Sequence, residues 1–518
     1  MVSKDMEYKI LMVLTVCLMI MGACEIASFN QWGNPDNPSP HTMAKTANSQ
    51  RFRKSIPSPD GYGYGGMLES LKKNDFSRFR DSVYVDYTGA GQYLDSQIAK
   101  AFEEIKKTPF GNTHSNSPAS KNSEIEVDKA RKLILEWFHT SSEEYDVVFT
   151  SGATASLHLI GETFPWTRNS HFYYLRENHN SVLGIREFAL HNGAKFHVIN
   201  STDVEDECKA PGAEQSSGDE INNLFAYPLE ENFSGKMYPK EWINLIQGKN
   251  RFHCSGKWYV LLDIAAFAPT HDLDLSKYSA DFVVLSFYKM FGFPTGIGAL
   301  LIRHASAPIL NKMYYGGGSV LQTVTQSGDH RVPTSTTRRF EDGTPNFLGI
   351  SALKFGFEAL AGVGGPAAIN KHTMAVTHYL YGKLKSLRHY NGQPVLEIYG
   401  NHASGDDAAQ GPIVTVNVKT PAGEYVSFAE VEKAAAEARI HLRAGWHCNP
   451  GAAYGALGLS EEKIAEQIRN HKCFSSTCVH QTALTVVNGV MAGAVRISLG
   501  FMTTFEDCDR VVDFFRSR

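Results

Sequence analysis

From Tyr84 onward, short apolar runs alternate with longer amphipathic stretches along the chain. The runs at residues 145–149, 258–262 and 282–285 have the length and the apolar composition of buried strands. Residues 123–138 instead show the spacing of a helix with one apolar face. Strands that alternate with helices predict an α/β fold, in which helices cover a mostly parallel sheet.

The first residues depart from this alternation. Lys9 is followed by an almost unbroken apolar run over residues 10–23. The run is short for a membrane span, and its basic start and small end residues are typical of a signal peptide or a weak membrane anchor. An extension that takes no part in the fold is the alternative. We therefore interpret residues 1–28 as a leader, and residues 29–80, whose first part is rich in Asn, Pro, Ser and Gly, as a linker or arm.

Composition changes again in the last third of the chain. Residues 401–411 are rich in Gly, Asp and Ala, and Ile413–Val418 follows as a predicted strand. We assign residues 81–385 to a large domain and residues 386–518 to a smaller α+β domain, with a hinge near residues 371–387.

Charge and cysteine usage limit the classes of function. The 518 residues carry a net charge of -4, which leaves no excess of Lys and Arg for a nucleic-acid backbone, so no nucleic-acid partner is expected. The eight cysteines show neither the spacing of a disulfide framework nor that of a zinc site, so no metal site is predicted. This usage favours a reducing compartment, so a cytoplasmic location is the alternative to the secretory location that the leader suggests.

Two ionisable residues lie shortly after predicted strands. Asp263 comes after the strand at 258–262, and Lys289 comes between the strand at 282–285 and a Gly-rich turn. Open α/β sheets bind ligands at the carboxyl ends of their strands. A lysine amine and a carboxylate there suit pyridoxal 5'-phosphate (PLP), which needs an amine to attach to and a carboxylate at its ring nitrogen. A solvated lysine and a turn-capping aspartate are the alternatives.

A third motif could hold an anion. Residues 150–155 are small, follow the strand at 145–149 and open a predicted helix, so backbone N–H groups there can point at a phosphate. A Ser/Thr helix cap explains the same residues without any ligand.

Four segments together, at residues 87–90, 149–155, 285–292 and 339–346, resemble the aminotransferase-like domain of molybdenum cofactor sulfurases. These are class V, cysteine-desulfurase-like PLP enzymes. The resemblance runs from about Tyr84 to the C-terminus. It implies the PLP-dependent transferase type I fold, which has a large domain with a mostly parallel seven-stranded sheet and a smaller α+β C-terminal domain.

The resemblance also implies roles for individual residues. Lys289 holds PLP as a Schiff base, Asp263 pairs with the ring nitrogen, and His179 stacks on the ring. Asn232 hydrogen-bonds the phenolic oxygen of the cofactor. The positions that bind the phosphate are Ala153, Thr154 and Ser286, with Ser319 reaching it from a neighbouring subunit, which implies a homodimer.

The same resemblance assigns the substrate and the nucleophile. Arg496 holds the substrate carboxylate, with Arg443 beside it at the substrate, and Cys448 occupies the place of the nucleophilic cysteine. Arg443 and His447 could both favour the Cys448 thiolate, which is the reactive form. The implied reaction converts L-cysteine to L-alanine, leaves a persulfide on Cys448 and serves an unknown sulfur acceptor.

Two differences from the family limit which of its properties can be expected of this chain. Tyr288 and Ala266 stand where bacterial cysteine desulfurases carry a histidine and a glutamine. The chain also ends at Arg518, without the C-terminal cofactor-binding domain of full-length sulfurases, so delivery of sulfur to molybdenum cofactor does not follow.

Another class V PLP enzyme, such as a selenocysteine lyase, an aminotransferase or an epimerase, is the alternative, and a non-catalytic relative of the fold is a further one.

Overall fold

The computed structural model describes residues 61–209, 221–247, 251–470, 486–487 and 490–517. The predicted leader at residues 1–28, and the arm up to residue 60, lie outside these ranges. Among the described helices, no single one is both long enough and apolar enough to cross a membrane.

The described strands fall into one large sheet, one medium sheet and three short pairs. In chain order they are β1 Val83–Tyr84, β2 Tyr145–Thr150, β3 His171–Leu175, β4 Lys195–Ile199, β5 Asn222–Pro228, β6 Lys257–Asp263, β7 Phe282–Ser286, β8 Gly298–Arg303, β9 Gln322–Thr323, β10 His330–Arg331, β11 Leu396–Tyr399, β12 Ile413–Val418, β13 Ile440–His441, β14 Arg443–Gly445, β15 Val486–Val487, β16 Val490–Met491 and β17 Ala494–Ser498.

The α-helices alternate with the strands through most of the chain. In chain order they are α1 Met67–Asp75, α2 Asp95–Lys107, α3 Pro118–Trp137, α4 Ala153–Thr163, α5 Asn180–Leu183, α6 Ile185–His191, α7 Ser201–Lys209, α8 Glu241–Ile246, α9 Phe287–Phe291, α10 Thr336–Phe340, α11 Phe347–Gly362, α12 Gly365–Lys385, α13 Phe428–Glu437, α14 Pro450–Leu457, α15 Glu461–Asn470 and α16 Phe505–Arg516.

The large sheet has seven strands in the order β2-β8-β7-β6-β5-β3-β4. Strands β3 to β7 run parallel, whereas β8 runs antiparallel to both of its neighbours. This confirms the predicted mostly parallel sheet of seven strands, and the three strands predicted at 145–149, 258–262 and 282–285 are β2, β6 and β7.

Both faces of this sheet are buried, which explains why its strands are continuous apolar runs rather than alternating ones. In β7, Val283 and Leu285 contribute to one hydrophobic cluster, whereas Phe282 and Val284 contribute to the cluster on the opposite face. The first cluster includes side chains of α3 and α11, and the second includes side chains of α4 and α6.

A smaller lobe is built on a four-stranded antiparallel sheet with the order β11-β12-β17-β14. Its core includes Val83 and Val85 from the start of the folded chain, because β1 pairs in parallel with β13. Helix α12 joins the two lobes: Ile369 packs in the core of the large lobe, whereas Val376 and Leu380 pack in that of the small lobe. The predicted hinge at residues 371–387 therefore lies largely within this helix.

Folded structure begins before the boundary predicted for the arm. A 3-10 helix spans Tyr62–Gly66 and α1 follows it, although the arm was predicted to reach residue 80. Tyr64 and Leu68 are buried in the core of the large lobe. The segment is rich in glycine, so its composition predicted an arm. Its structure instead depends on the burial of its apolar residues.

Gly356 in α11 lets that helix approach α9, the helix that carries Lys289. A methyl group added at Gly356 would lie 2.2 Å from the ring of Phe291. We predict that Gly356→Ala lowers the free energy of unfolding by about 1–3 kcal/mol, because overpacking displaces a buried ring. Chemical denaturation would measure the change.

Gly362→Ala, in the last turn of the same helix, is the matched control. A methyl group there meets nothing within 4 Å, so the variant should be as stable as the wild type or slightly more stable. Equal stabilities of the two variants would contradict the packing argument.

Candidate active site

Three neighbouring strands end at one edge of the large sheet and bring the predicted site residues together. Asp263 ends β6 and pairs in register with Pro228, the last residue of β5. Lys289 lies in α9, directly after β7. A cavity at this edge is lined by Ala153, Thr154, Leu157, His179, Pro228, Glu230, Asn232, Asp263, Ala265, Ala266, Ser286, Tyr288 and Lys289.

The Lys289 amine faces this cavity without a hydrogen-bond acceptor among the described residues. Burial lowers the pKa of Lys289, and the nearby Arg496 and Arg443 lower it further. Asp263 offsets part of this shift, since its carboxylate favours the charged amine. An amine whose pKa is lowered is more available as a neutral nucleophile and base.

The Asp263 carboxylate is 8% exposed and accepts a hydrogen bond from the backbone N–H of Ala265, at 2.9 Å. Burial raises the pKa of Asp263, and the Ala265 N–H and Lys289 partly offset this. A cationic group bound in the cavity would be stabilised by this carboxylate.

Helix α4 begins at the cavity and presents donors to it. Gly152, immediately before the helix, has a φ of 146°, and the N–H of Ala153 donates to Ser286 Oγ at 2.8 Å. The N–H groups of Thr154 and Ala155 have no acceptor in the described part of the chain. Free N–H groups at a helix start, with the helix dipole behind them, form a site for an anion.

His179 is a partly buried neutral imidazole on the wall of the cavity. Burial lowers the pKa of His179 to about 4, and the positive charges of Lys289, Arg443 and Arg496 act in the same direction. Its Nδ1 accepts a hydrogen bond from the backbone N–H of Ser181, at 3.1 Å, which leaves the ring proton on Nε2. The ring is thereby fixed at the start of α5.

Asn232 lies in a turn held by its neighbour Glu231. The buried Glu231 carboxylate accepts hydrogen bonds from the backbone N–H groups of Phe233 and Ser234, both at 2.7 Å. The Asn232 side chain donates to the carbonyl of His447 at 2.5 Å. The turn therefore links the large lobe to the segment that carries Cys448.

Arg496 lies in the centre of the small-lobe sheet and is 1% exposed. Its guanidinium donates to Asp86 Oδ1 at 2.7 Å and to the backbone carbonyl of Asn232 at 2.8 Å. Its Nε has no partner among the described residues. The predicted carboxylate-binding arginine is thus fixed in position by two segments distant in the chain.

Arg443 pairs in register with Arg496 across the antiparallel strands β14 and β17. Residues that face each other in such a pair project to the same side of the sheet, and like charges there repel. An anion bound between two guanidinium groups relieves this repulsion. The arrangement suits a carboxylate, which matches the planar fork of arginine.

Cys448 sits on a turn with an unusual backbone. His447 and Cys448 have φ values of 55° and 57°, in the left-handed region that residues other than glycine rarely adopt. The turn is held by the Asn232 bond to His447 and by a 2.7 Å bond from the N–H of Asn180 to the carbonyl of Cys448. Such strain persists only where surrounding contacts fix the conformation.

The prediction that His447 favours the Cys448 thiolate is wrong. His447 is 1% exposed, and burial together with the charges of Arg496 and Arg443 lowers the pKa of His447 well below its usual value. Its ring is therefore neutral near pH 7. This burial could not be predicted from the sequence, because the ring packs against Phe233, which is distant in the chain.

Cys448 does not line the cavity that contains Lys289. It lines a second cavity of about 730 Å³, together with Trp446, Tyr174, Tyr454 and other side chains. Its thiol is partly exposed. The Cys448 carbonyl accepts a bond from Asn180, the residue after His179, so the cysteine backbone lies next to the wall of the lysine cavity.

Ser319 is completely buried in this single chain and does not line the cavity. Its hydroxyl donates to Asp342, and its oxygen accepts from the N–H of Gly316 at 2.9 Å. Its role in binding phosphate across a subunit boundary stays a prediction.

Sequence reasoning missed three acidic residues of the site: Asp86, Glu230 and Glu231. The two glutamates directly follow the buried strand β5, and this is the same signal that identified Asp263. Asp86 offered no such signal, since its partner Arg496 lies near the other end of the chain.

Comparison with known proteins agrees with the geometry. The aminotransferase class-V family model matches residues 83–511. A molybdenum cofactor sulfurase of Bos taurus is 39% identical in an alignment of 489 positions that covers 92% of this chain and 54% of the relative. One of Arabidopsis thaliana is 38% identical, covering 88% of this chain and 59% of the relative. The chain spans little more than half the length of these relatives.

Solved structures show the same fold at low sequence identity. A cysteine desulfurase from Thermococcus onnurineus NA1 has a TM-score of 0.67 and 19% identity, covering 87% of this chain and 97% of the other. The cysteine desulfurase CsdA from Escherichia coli has a TM-score of 0.63 and 17% identity, covering 86% and 97%. The type I fold expected from the sequence is therefore confirmed.

Proposed function

The chain belongs to the aminotransferase class-V family, and on this basis we propose that it is a PLP-dependent, cysteine desulfurase-like enzyme. It would convert L-cysteine to L-alanine and leave a persulfide on Cys448. The observation that carries the proposal is that one cavity at the sheet edge brings together Lys289, Asp263, His179 and the start of α4, with Cys448 beside it.

The donor set of this cavity fits PLP. The free N–H groups at the start of α4 suit its phosphate, and the buried Asp263 carboxylate suits its protonated ring nitrogen. The neutral His179 ring can stack on the pyridine, and the Lys289 amine, which has no acceptor among the described residues, can form the covalent link.

Bound PLP would withdraw electrons from the α-carbon of the amino acid, which makes its proton acidic and its side-chain bond labile. The Lys289 amine supplies the base: its lowered pKa lets Nζ accept the α-proton near neutral pH and return it later. Arg496 and Arg443 would hold the substrate carboxylate, which orients the α-carbon toward Lys289.

Cys448 would take the sulfur directly. Its thiolate forms an S–S bond to the substrate sulfur while the bond between that sulfur and the β-carbon breaks. The electron pair of the broken bond goes to the β-carbon, which gains a proton and becomes the methyl group of alanine. Sulfur is oxidised and carbon is reduced by the same two electrons, so no further oxidant is required. The persulfide then passes its sulfur to an acceptor.

We predict that the wild type, mixed with PLP and treated with borohydride, carries the reduced cofactor on the peptide containing Lys289. Lys289→Ala should carry none, because no other amine is expected to be placed for attachment. Peptide mass spectrometry measures the adduct. Lys100→Ala, at a lysine whose side chain is 58% exposed, is the control and should be labelled like the wild type. Absence of the adduct from the wild type would contradict the cofactor assignment.

We predict that Cys448→Ser lowers the rate of alanine formation from L-cysteine by about a hundredfold or more, because a serine hydroxyl is not ionised at neutral pH. Alanine and protein persulfide are both measured. Cys254→Ser, at another partly exposed cysteine, should keep the wild-type rate. If Cys448→Ser forms alanine as fast as the wild type, Cys448 is not the nucleophile and another class V reaction is favoured.

We propose further that the enzyme is a homodimer. Apolar side chains are exposed on the segment around Ser319: Met313 is 80% exposed, Tyr314 63%, Leu321 58% and Val324 50%. Contiguous exposed apolar residues are typical of a protein interface. The same segment is the one predicted to reach the active site of a second subunit.

We predict that sedimentation equilibrium gives twice the 57.3 kDa mass of the chain, and that Leu321→Asp combined with Val324→Asp shifts the protein to the monomer. A charge buried in an apolar interface is costly, which is the reason for the shift. Tyr390→Asp, at a tyrosine 93% exposed elsewhere, should leave the mass unchanged. A wild type that is monomeric at micromolar concentration would contradict the proposal.

A further inference from the structure

Glu230 is a buried acidic residue that lines the cavity. No step of the proposed reaction involves it. It lies two residues beyond the end of β5, lines the cavity with Lys289, and has a side chain that is 1% exposed. Its Oε2 has no hydrogen-bond partner among the described residues. Nδ1 of His271 lies 3.7 Å from this oxygen, which is beyond hydrogen-bond distance.

The neighbouring Glu231 is an example of a carboxylate with a structural role in this turn. Glu231 accepts hydrogen bonds from Phe233, Ser234 and Asn449, and so is fully used within the protein. Glu230 has none of these bonds, although it is closely packed against Gly411, where an added methyl group would lie 2.3 Å from its Oε1. A buried polar atom without a partner is costly, so its retention points to a ligand that completes it.

The charged groups around Glu230 indicate that it holds a proton. Burial and the adjacent Glu231 raise the pKa of Glu230 well above its usual value, and Arg496 and Lys289 only partly offset this. His271 cannot take the proton near pH 7, because burial lowers the pKa of His271 to about 3. These surroundings favour the carboxylic-acid form of Glu230, and the O–H of that form has no acceptor among the described residues.

The position of Glu230 indicates which part of a bound cofactor it meets. It follows β5, whose last residue pairs with Asp263, and it lines the cavity together with Asp263 and Lys289, whereas the phosphate would lie at the start of α4. In PLP the phenolic oxygen is attached next to the carbon that links to the lysine. Ala265 and Ala266 have no side-chain donor, and the bond to His447 uses one of the two amide N–H groups of Asn232, so a further donor is needed to complete the hydrogen bonding of this oxygen.

We propose that Glu230 is a cofactor-contacting residue, whose carboxylic acid donates a hydrogen bond to the phenolic oxygen of bound PLP. The inference rests on the proposed function, since it requires PLP in this cavity. A hydrogen bond to that oxygen holds the ring in its plane and shifts the electron distribution of the cofactor. It therefore affects both the affinity for PLP and the absorption spectrum of the bound cofactor.

The test compares Glu230→Met, which keeps the size but removes the donor, with Glu230→Gln, which keeps a donor. Glu230→Met should raise the dissociation constant for PLP about tenfold or more and shift the absorption maximum of bound PLP. Glu230→Gln should keep an affinity within about threefold of the wild type. The PLP-free Glu230→Met protein should be at least as stable to heat as the PLP-free wild type, since it loses an unpaired buried group.

Asp281→Asn is the control for a buried carboxylate with a structural role. Asp281 accepts hydrogen bonds from Val260 and Ser306 at the far end of β7, so this variant should lose stability without a spectral shift. An unchanged PLP affinity and spectrum in Glu230→Met would overturn the inference, as would a loss of stability in its PLP-free form. Failure of the wild type to bind PLP would instead overturn the proposed function.

Discussion

The ion pair between the buried Arg496 and the partly buried Asp86 is the interaction on which the site depends. Arg496 belongs to the small-lobe sheet, Asp86 to the start of the folded chain, and the Asn232 carbonyl that Arg496 also binds to the large lobe. One guanidinium thus connects three parts of the chain that are distant in sequence. Removing the Asp86 carboxylate would leave the Arg496 guanidinium buried without its charged partner, which is more costly than losing the pair.

Burial of ionisable groups sets the chemistry of the cavity. The low polarity of the lobe interface disfavours charge, so it lowers the pKa of Lys289 and His179 and raises that of Asp263 and Glu230. Burial thereby shifts each of these groups toward its neutral form. A bound cofactor with its own charges would meet an environment in which few protein charges compete for it.

Much of the fold could be predicted because the strands of the large sheet are buried on both faces, and such strands are visible as apolar runs. Lys289 and Asp263 could be predicted for the same reason, since each follows a run of this kind. The role of Asp86 and the burial of His447 could not, because both depend on partners brought close by tertiary folding. The start of the fold near Tyr62 was also missed, since burial of two side chains decides it.

Strand β1 has a consequence for the synthesis of the protein. Val83 and Val85 are completely buried in the small lobe, and their N–H groups donate to Arg439 and His441, in and next to β13. This partner strand leaves the ribosome long after β1, at typical rates on the order of tens of seconds later. During that interval the large lobe can fold, whereas the apolar residues of β1 have no partner strand. Cellular factors that shield exposed strands would therefore matter most for this enzyme before its translation ends.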